Sequence, residues 1–110
     1  MKTNKIATKT AQQGDVLLRK VSVLPEGERK LISKQRLVLA EGEVTGHYHG
    51  VEEMNSEMFS IGNKVFINLA QNATVTHQEH GPITLDRGLW EVGRVQEYDY
   101  FAQMKRPVMD

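Results

Sequence analysis

Short runs of Val, Ile, Leu, Phe and Thr alternate along this chain with turn residues about every 8 to 12 positions, and this spacing constrains the fold more than any other feature. It predicts an all-β sandwich or barrel. Val16 to Leu24 is closed by Pro25-Glu26-Gly27, and Leu31 to Val44 carries Leu37-Val38-Leu39 ahead of Glu41-Gly42. Val65 to Leu69 follows Gly62-Asn63, a dipeptide suited to the positive φ of a tight turn, which predicts a hairpin with Met58 to Ile61. Thr74 to Glu79 alternates residue by residue and stops at Gly81-Pro82, because proline lacks the donor that a ladder requires. After the turn Asp86-Arg87-Gly88, Leu89 to Tyr98 reads as a strand with Trp90, Val92 and Tyr98 on one face. Helix is scarce: Val51, Met54 and Met58 fall at helical spacing, but a helix over Val51 to Phe59 would have about two turns.

A length of 110 residues suits one domain, and Leu, Ile, Val and Phe make up a quarter of the chain, enough for a modest core. The expected organisation is a flexible N-terminal arm over 1–13, a single β domain over 14–103 and a C-terminal tail over 104–110. There is no cysteine, so disulfides, thiolate nucleophiles and Cys-ligated zinc are excluded. No apolar run approaches the length of a membrane span, and a cytoplasmic protein is the expected setting. Phosphate-loop, nucleophile-elbow and dinucleotide-fingerprint motifs are all missing.

All four histidines lie between positions 47 and 80, as His47-Tyr48-His49 and His77-Gln78-Glu79-His80. Residues i and i+2 of a strand share a face, so His47 and His49 aim two imidazoles at one point, half of a nitrogen-ligated metal site. A regular strand would put His77 and Glu79 on one face and His80 on the other. A bulge ahead of Gly81-Pro82 would turn His80 inward. The expected site is a mononuclear divalent centre (Zn, Mn, Fe, Ni or Cu) held by His47 and His49 with His77, His80 or both. Glu79 stands between two histidines and is a candidate ligand, general base or orienting partner; Glu53 is the second candidate for proton transfer.

Gly42, His47-x-His49 and Glu53 together resemble the first metal motif of the cupin superfamily. That resemblance implies a cupin-like or jelly-roll barrel in which two His and a Glu from one strand pair, with a His from a later strand, hold a metal that acts on a small molecule. The chain departs from the pattern: the Gly42 to His47 spacing is one residue short, and Glu91 stands after Asp86-Arg87-Gly88 where the second motif has histidine. The wider arrangement, from Gly14-Asp15-Val16 to Gln96-Glu97-Tyr98, also resembles a group of small bacterial and phage proteins, a likeness that implies no activity.

The formal net charge is zero, but it divides: residues 1–36 carry nine basic and three acidic side chains, residues 37–110 five and eleven. The basic third makes a non-enzymatic binding or assembly module, with nucleic acid or a protein as partner, the rival reading. Internal pairing of the two segments is the simpler account. Open strand edges favour a homodimer.

Overall fold

The computed structural model describes residues 5–41 and 46–95. Nine strands account for its regular structure: β1 (Ile6–Ala7), β2 (Thr10–Gln13), β3 (Val16–Val21), β4 (Arg29–Glu41), β5 (Tyr48–Ile61), β6 (Lys64–Leu69), β7 (Ala73–Thr76), β8 (Ile83–Leu85) and β9 (Gly88–Arg94). The all-β expectation holds, as one nearly closed, barrel-shaped sheet.

β5 organises the sheet. Gly50 and Val51 pair with β4 across one edge and with β7 across the other, while residues 57–61 pair with β4 and with β6. β6 and β7 therefore share the edge opposite β4, and two branches leave it. One runs β6-β9-β3-β2 and the other β7-β8-β1, so that the branch ends β1 and β2 are consecutive in the chain. The approach of β2 to β8, β1's neighbour, nearly closes the ring and leaves β4 outside it as a long flange.

Alternation fills the interior. Val16 and Leu18 of β3, Val51 and Met58 of β5, Ile67 and Leu69 of β6, Ala73 and Val75 of β7, Leu85 and Trp90 form one buried cluster, to which β4 adds Leu37. Phe59, Ile61 and Phe66 form a second cluster with Val21, Leu24 and Leu89. Trp90 and Leu89 thus serve different clusters from adjacent positions, as the period of 2 requires.

The Gly62-Asn63 hairpin forms as expected, with Ile61 opposite Lys64 and Gly62 at φ 62°. Two expectations fail. The arm over 1–13 gives way from Ile6 onward to β1 and β2, because Gly14-Asp15 is itself a two-residue turn that folds Thr10–Gln13 back onto Val16–Arg19. The segment Val51 to Phe59 is strand, since β4, β6 and β7 supply backbone partners on both of its edges, and its Met54 is exposed. Gly42, Val44, Glu97, Tyr98 and the tail over 104–110 lie outside the described residues. Among the described residues, no helix is long and apolar enough to cross a membrane.

Candidate functional site

The four histidines come together at one end of the ring, at the seam between its branches. His49 is the second residue of β5 and shares the inward face with Val51, so its side chain is buried. His47 immediately precedes the strand. β7 ends at Thr76, sooner than the alternation suggested, and residues 77–80 form a bend. The bend is held by the backbone N–H groups of Glu79 and His80, which donate to Nδ1 of His77 at 3.0 and 3.2 Å, and by the Tyr48 N–H, which donates to Oε1 of Gln78 at 2.7 Å. It brings both of its histidines to His49. Ring centroids lie 4.4 Å apart for His49 and His77, 4.7 Å for His77 and His80, 6.0 Å for His49 and His80, and 5.7 Å for His47 and His77.

Three residues absent from the expected site complete it: Gln13, Asp15 and Arg94. The side-chain amide of Gln13, buried at the end of β2, donates from Nε2 to the carbonyls of Val75 at 3.0 Å and Gly81 at 2.9 Å. Its Oε1 is therefore the acceptor, and Nδ1–H of His49 donates to it at 2.8 Å. That bond fixes the His49 tautomer and leaves the lone pair on Nε2. Asp15 follows in the turn. Arg94, at the end of β9, donates from Nε and Nη2 to Oδ2 of Asp15 at 2.9 and 2.6 Å, and Oδ1 lies 3.9 Å from Nε2 of His49. Between them Gly14, at φ 58°, passes so close to the rings that an added Cβ would stand 2.7 Å from Nε2 of His80 and 3.2 Å from Cε1 of His49.

The electrostatics follow from these contacts. Burial holds the His49 imidazole below its ordinary pKa, with His77 adding to the effect and Asp15 opposing it. The Arg94 guanidinium keeps the Asp15 carboxyl below the usual carboxylate value. Glu79 stays with the cluster, its Oε1 3.3 Å from Nδ1 of His47. Glu53 does not join it. It lies four positions along the strand from His49, roughly 13 Å of extended chain. Its carboxylate instead accepts from Nε2 of Gln71 at 2.5 Å, where β5 is kinked and Ser56 Oγ donates to the Glu53 carbonyl. Glu91, at the position of the missing second-motif histidine, pairs with Arg19.

As they stand, no three His, Asp or Glu side chains among the described residues are arranged to hold a metal ion. The rings are near enough. With metal–nitrogen bonds of about 2.0–2.1 Å, two imidazoles on one tetrahedral ion have centres about 5 Å apart. What departs from coordination is the aim of the nitrogens, above all Nδ1 of His77, which faces its own backbone.

The charge division is answered in part by internal pairing. Arg19, Lys20, Arg29 and Arg36 of the basic segment meet Glu91, Asp86, Glu57 and Glu52 of the acidic one.

Fold and site define a small all-β barrel protein with a polar cluster of histidines at its seam. The chain belongs to the family described as Domain of unknown function (DUF8820), whose profile matches residues 12–95, a span that begins just before Gln13 and ends just after Arg94. No curated protein and no solved structure matches the chain.

Proposed function

We propose that this barrel binds one divalent transition metal ion at the seam, on Nε2 of His49 and Oδ1 of Asp15, with His80 and His47 completing the shell from the bend and the start of β5. One observation carries the reading. Two lone-pair atoms, His49 Nε2 and Asp15 Oδ1, face each other at 3.9 Å, beyond hydrogen-bond distance, and each belongs to a group whose other polar atom is already engaged, by Gln13 and by Arg94. A cation between them satisfies both, and partners of this kind orient metal ligands in known sites. The Glu79 carboxylate beside Nδ1 of His47 is placed to do the same for that ring. Imidazole nitrogen with a carboxylate suits Zn, Fe, Ni or Cu and also admits Mn. A bound metal supplies Lewis acidity toward a water or a small oxygen-bearing molecule, and Glu79, largely exposed at the rim, is the residue that would exchange a proton with it. The cupin likeness agrees in its use of His47 and His49 but not in its use of Glu53.

Isothermal titration of chelator-treated protein with Zn2+ and Ni2+ tests the proposal. We expect a single equivalent bound, with affinity lowered at least about tenfold in His49→Ala and in Asp15→Asn. Wild-type protein that binds neither ion overturns it.

A non-enzymatic assembly role has one observation in its favour. β4 offers a 13-residue strand whose outer edge has no ladder partner among the described residues, with Leu31 and Ile32 at least half exposed beside Lys30 and Lys34. A second copy of the chain is the occupant this reading requires, and sedimentation equilibrium of wild type against Ile32→Lys tests it. A monomeric wild type rejects it.

A further inference from the structure

We infer that two copies of this chain join β4 to β4 as antiparallel strands, with Gln35 of each copy on the two-fold axis. The inference deepens the assembly reading, rests on it, and asks nothing of the metal.

The strand is close to a palindrome about Gln35. Read outward in both directions, Lys34 answers Arg36, Ile32 answers Val38, Leu31 answers Leu39 and Arg29 answers Glu41. A two-fold axis between antiparallel strands sets each residue opposite its mirror image, so an axis at Gln35 turns all of these into cross-strand pairs. The exposed side chains of Leu31, Ile32 and Val38 then meet apolar partners instead of water. An axis at Ile32 would set Lys30 against Lys34 and leave Val38 outside the ladder.

Charge favours the same register. The one like-charged meeting is that of Lys34 with Arg36 of the second copy, and β5 answers it, because Lys34 stands opposite Glu57 and Arg36 opposite Glu52 in the β4–β5 ladder. Across the axis the four strands therefore line up Glu57 and Lys34, then Arg36 and Glu52 of the second copy, a row with no net charge. At the outer ends Glu41, the only acidic residue of β4, meets Arg29 of the other copy. Arg29 already donates to Glu57 at 3.0 Å, and its guanidinium has donors left for a second carboxylate.

The irregularities of the edge select its partner. β4 shifts register against β5 between Leu31 and Ser33, between Lys34 and Arg36, and between Val38 and Ala40. The middle shift holds Gln35, at φ 69° the only non-glycine residue with positive φ among the described residues. Bulges and lysines on an edge turn foreign strands away. A second copy carries the same bulges, and the axis at Gln35 brings the outer ones of the two strands to nearly the same places. This edge thus fits a second copy of itself better than a regular strand.

The chain has no cysteine, so introduced cysteines report the register. Residues directly opposite on antiparallel strands have Cα atoms about 4.5–5.5 Å apart, within the span of a disulfide, whereas diagonal neighbours at about 7–8 Å lie beyond it. Under mild oxidation Gln35→Cys is expected to cross-link to itself. Ile32→Cys and Val38→Cys, mixed, are expected to link to each other well above the share that random pairing gives, and intact mass separates the mixed dimer from the two homodimers. In sedimentation equilibrium the wild type is expected to dimerise, and Ile32→Glu to weaken the dimer at least about tenfold through its two equivalent positions. Adding Val38→Lys to the same chain is expected to recover most of that loss, since the axis sets the new carboxylate of one copy against the new ammonium of the other. Far-UV circular dichroism shows that the variants are folded. A dimer in which Gln35→Cys stays unlinked, in which Ile32→Cys and Val38→Cys link no better to each other than to themselves, or in which the double variant stays as weak as Ile32→Glu overturns this register while leaving the assembly reading in place. A monomeric wild type removes both.

Discussion

Oε1 of Gln13 lies 2.8 Å from Nδ1 of His49, and the amide nitrogen of the same side chain joins the carbonyls of Val75 and Gly81. One side chain thus ties the end of β2 to β7 and to the loop beyond it, and sets the tautomer of the most buried histidine. We expect Gln13→Leu, which keeps the bulk and removes the polar atoms, to cost about 2–3 kcal/mol in urea unfolding, because two carbonyls and an imidazole N–H lose their partners. It should also weaken Zn2+ binding by about 10–100-fold. Gln13→Glu sharpens the test: it keeps an acceptor for His49 but sets a carboxylate against two carbonyl oxygens, so we expect stability to suffer more than His49 orientation.

Gly14 and Gly62 occupy the first loop position of their hairpins at φ 58° and 62°, yet only Gly14 has the histidines against it. Alanine at either position meets the left-handed backbone penalty of about 1–2 kcal/mol. The open space at Gly62 adds nothing further, but at Gly14 the added Cβ meets Nε2 of His80 at 2.7 Å and Cε1 of the buried His49 at 3.2 Å. We therefore expect Gly14→Ala to lower the unfolding midpoint more than Gly62→Ala does, and Gly14→Ala alone to weaken Zn2+ binding.

The strands and the histidine pairs were legible because both signals are local. Gly62-Asn63 marks its own hairpin, and His47-x-His49 declares a shared face through the strand period alone. The helical spacing of Val51, Met54 and Met58 misled because it ignores edge partners: a chain hydrogen-bonded on both sides stays extended, and the kink that exposes Met54 serves Glu53 and Ser56. The bend at 77–80 was only half legible. Gly81-Pro82 announces an interruption, but the early end of β7 depends on His77 capturing two amides. Gln13 was not legible at all. Its partners are 36, 62 and 68 residues away, and a glutamine in a polar N-terminal stretch carries no local sign of burial. The turn Gly14-Asp15 was the available clue, since a glycine-first two-residue loop implies a strand before it as well as after it.

His49 gives the apoprotein a definite pH dependence. Burial holds its folded-state pKa below the ordinary 6.5, with His77, His80 and Arg94 acting in the same direction and Asp15 against it. Between the folded value and 6.5 the unfolded chain binds more protons, so stability rises with pH through that window. It is fully present above about pH 7 and is lost as the pH falls through 6.5 toward the folded value. Asp15 is a separate case: its carboxyl is held low chiefly by its hydrogen bond to Arg94, so its contribution is present above 3.8 and disappears in stronger acid. Urea midpoints of metal-free wild type and His49→Gln at a series of pH values should differ in slope near pH 6. Parallel curves would show that His49 titrates alike in both states.

Trp90 is fully buried among the strands of the ring, and its Nε1–H donates to the carbonyl of Asp86 at 2.9 Å, in the turn whose carboxylate pairs with Lys20. The ammonium of Lys20 also stands 5.4 Å from the centre of the indole. Trp90→Phe removes the donor, leaves the Asp86 carbonyl to find another partner, and opens space in the main cluster while staying apolar. We expect a loss of about 2–3 kcal/mol. Met54→Ala, at the exposed kink of β5, should stay within about 0.5 kcal/mol of wild type. Since Trp90 is the only tryptophan, both are followed by far-UV circular dichroism instead of fluorescence. Trp90 contacts none of the proposed ligands in these bonds, so Zn2+ affinity of the folded Trp90→Phe protein should match wild type. A variant that loses metal while remaining folded would show instead that the β8–β9 turn and the seam are coupled through the barrel wall.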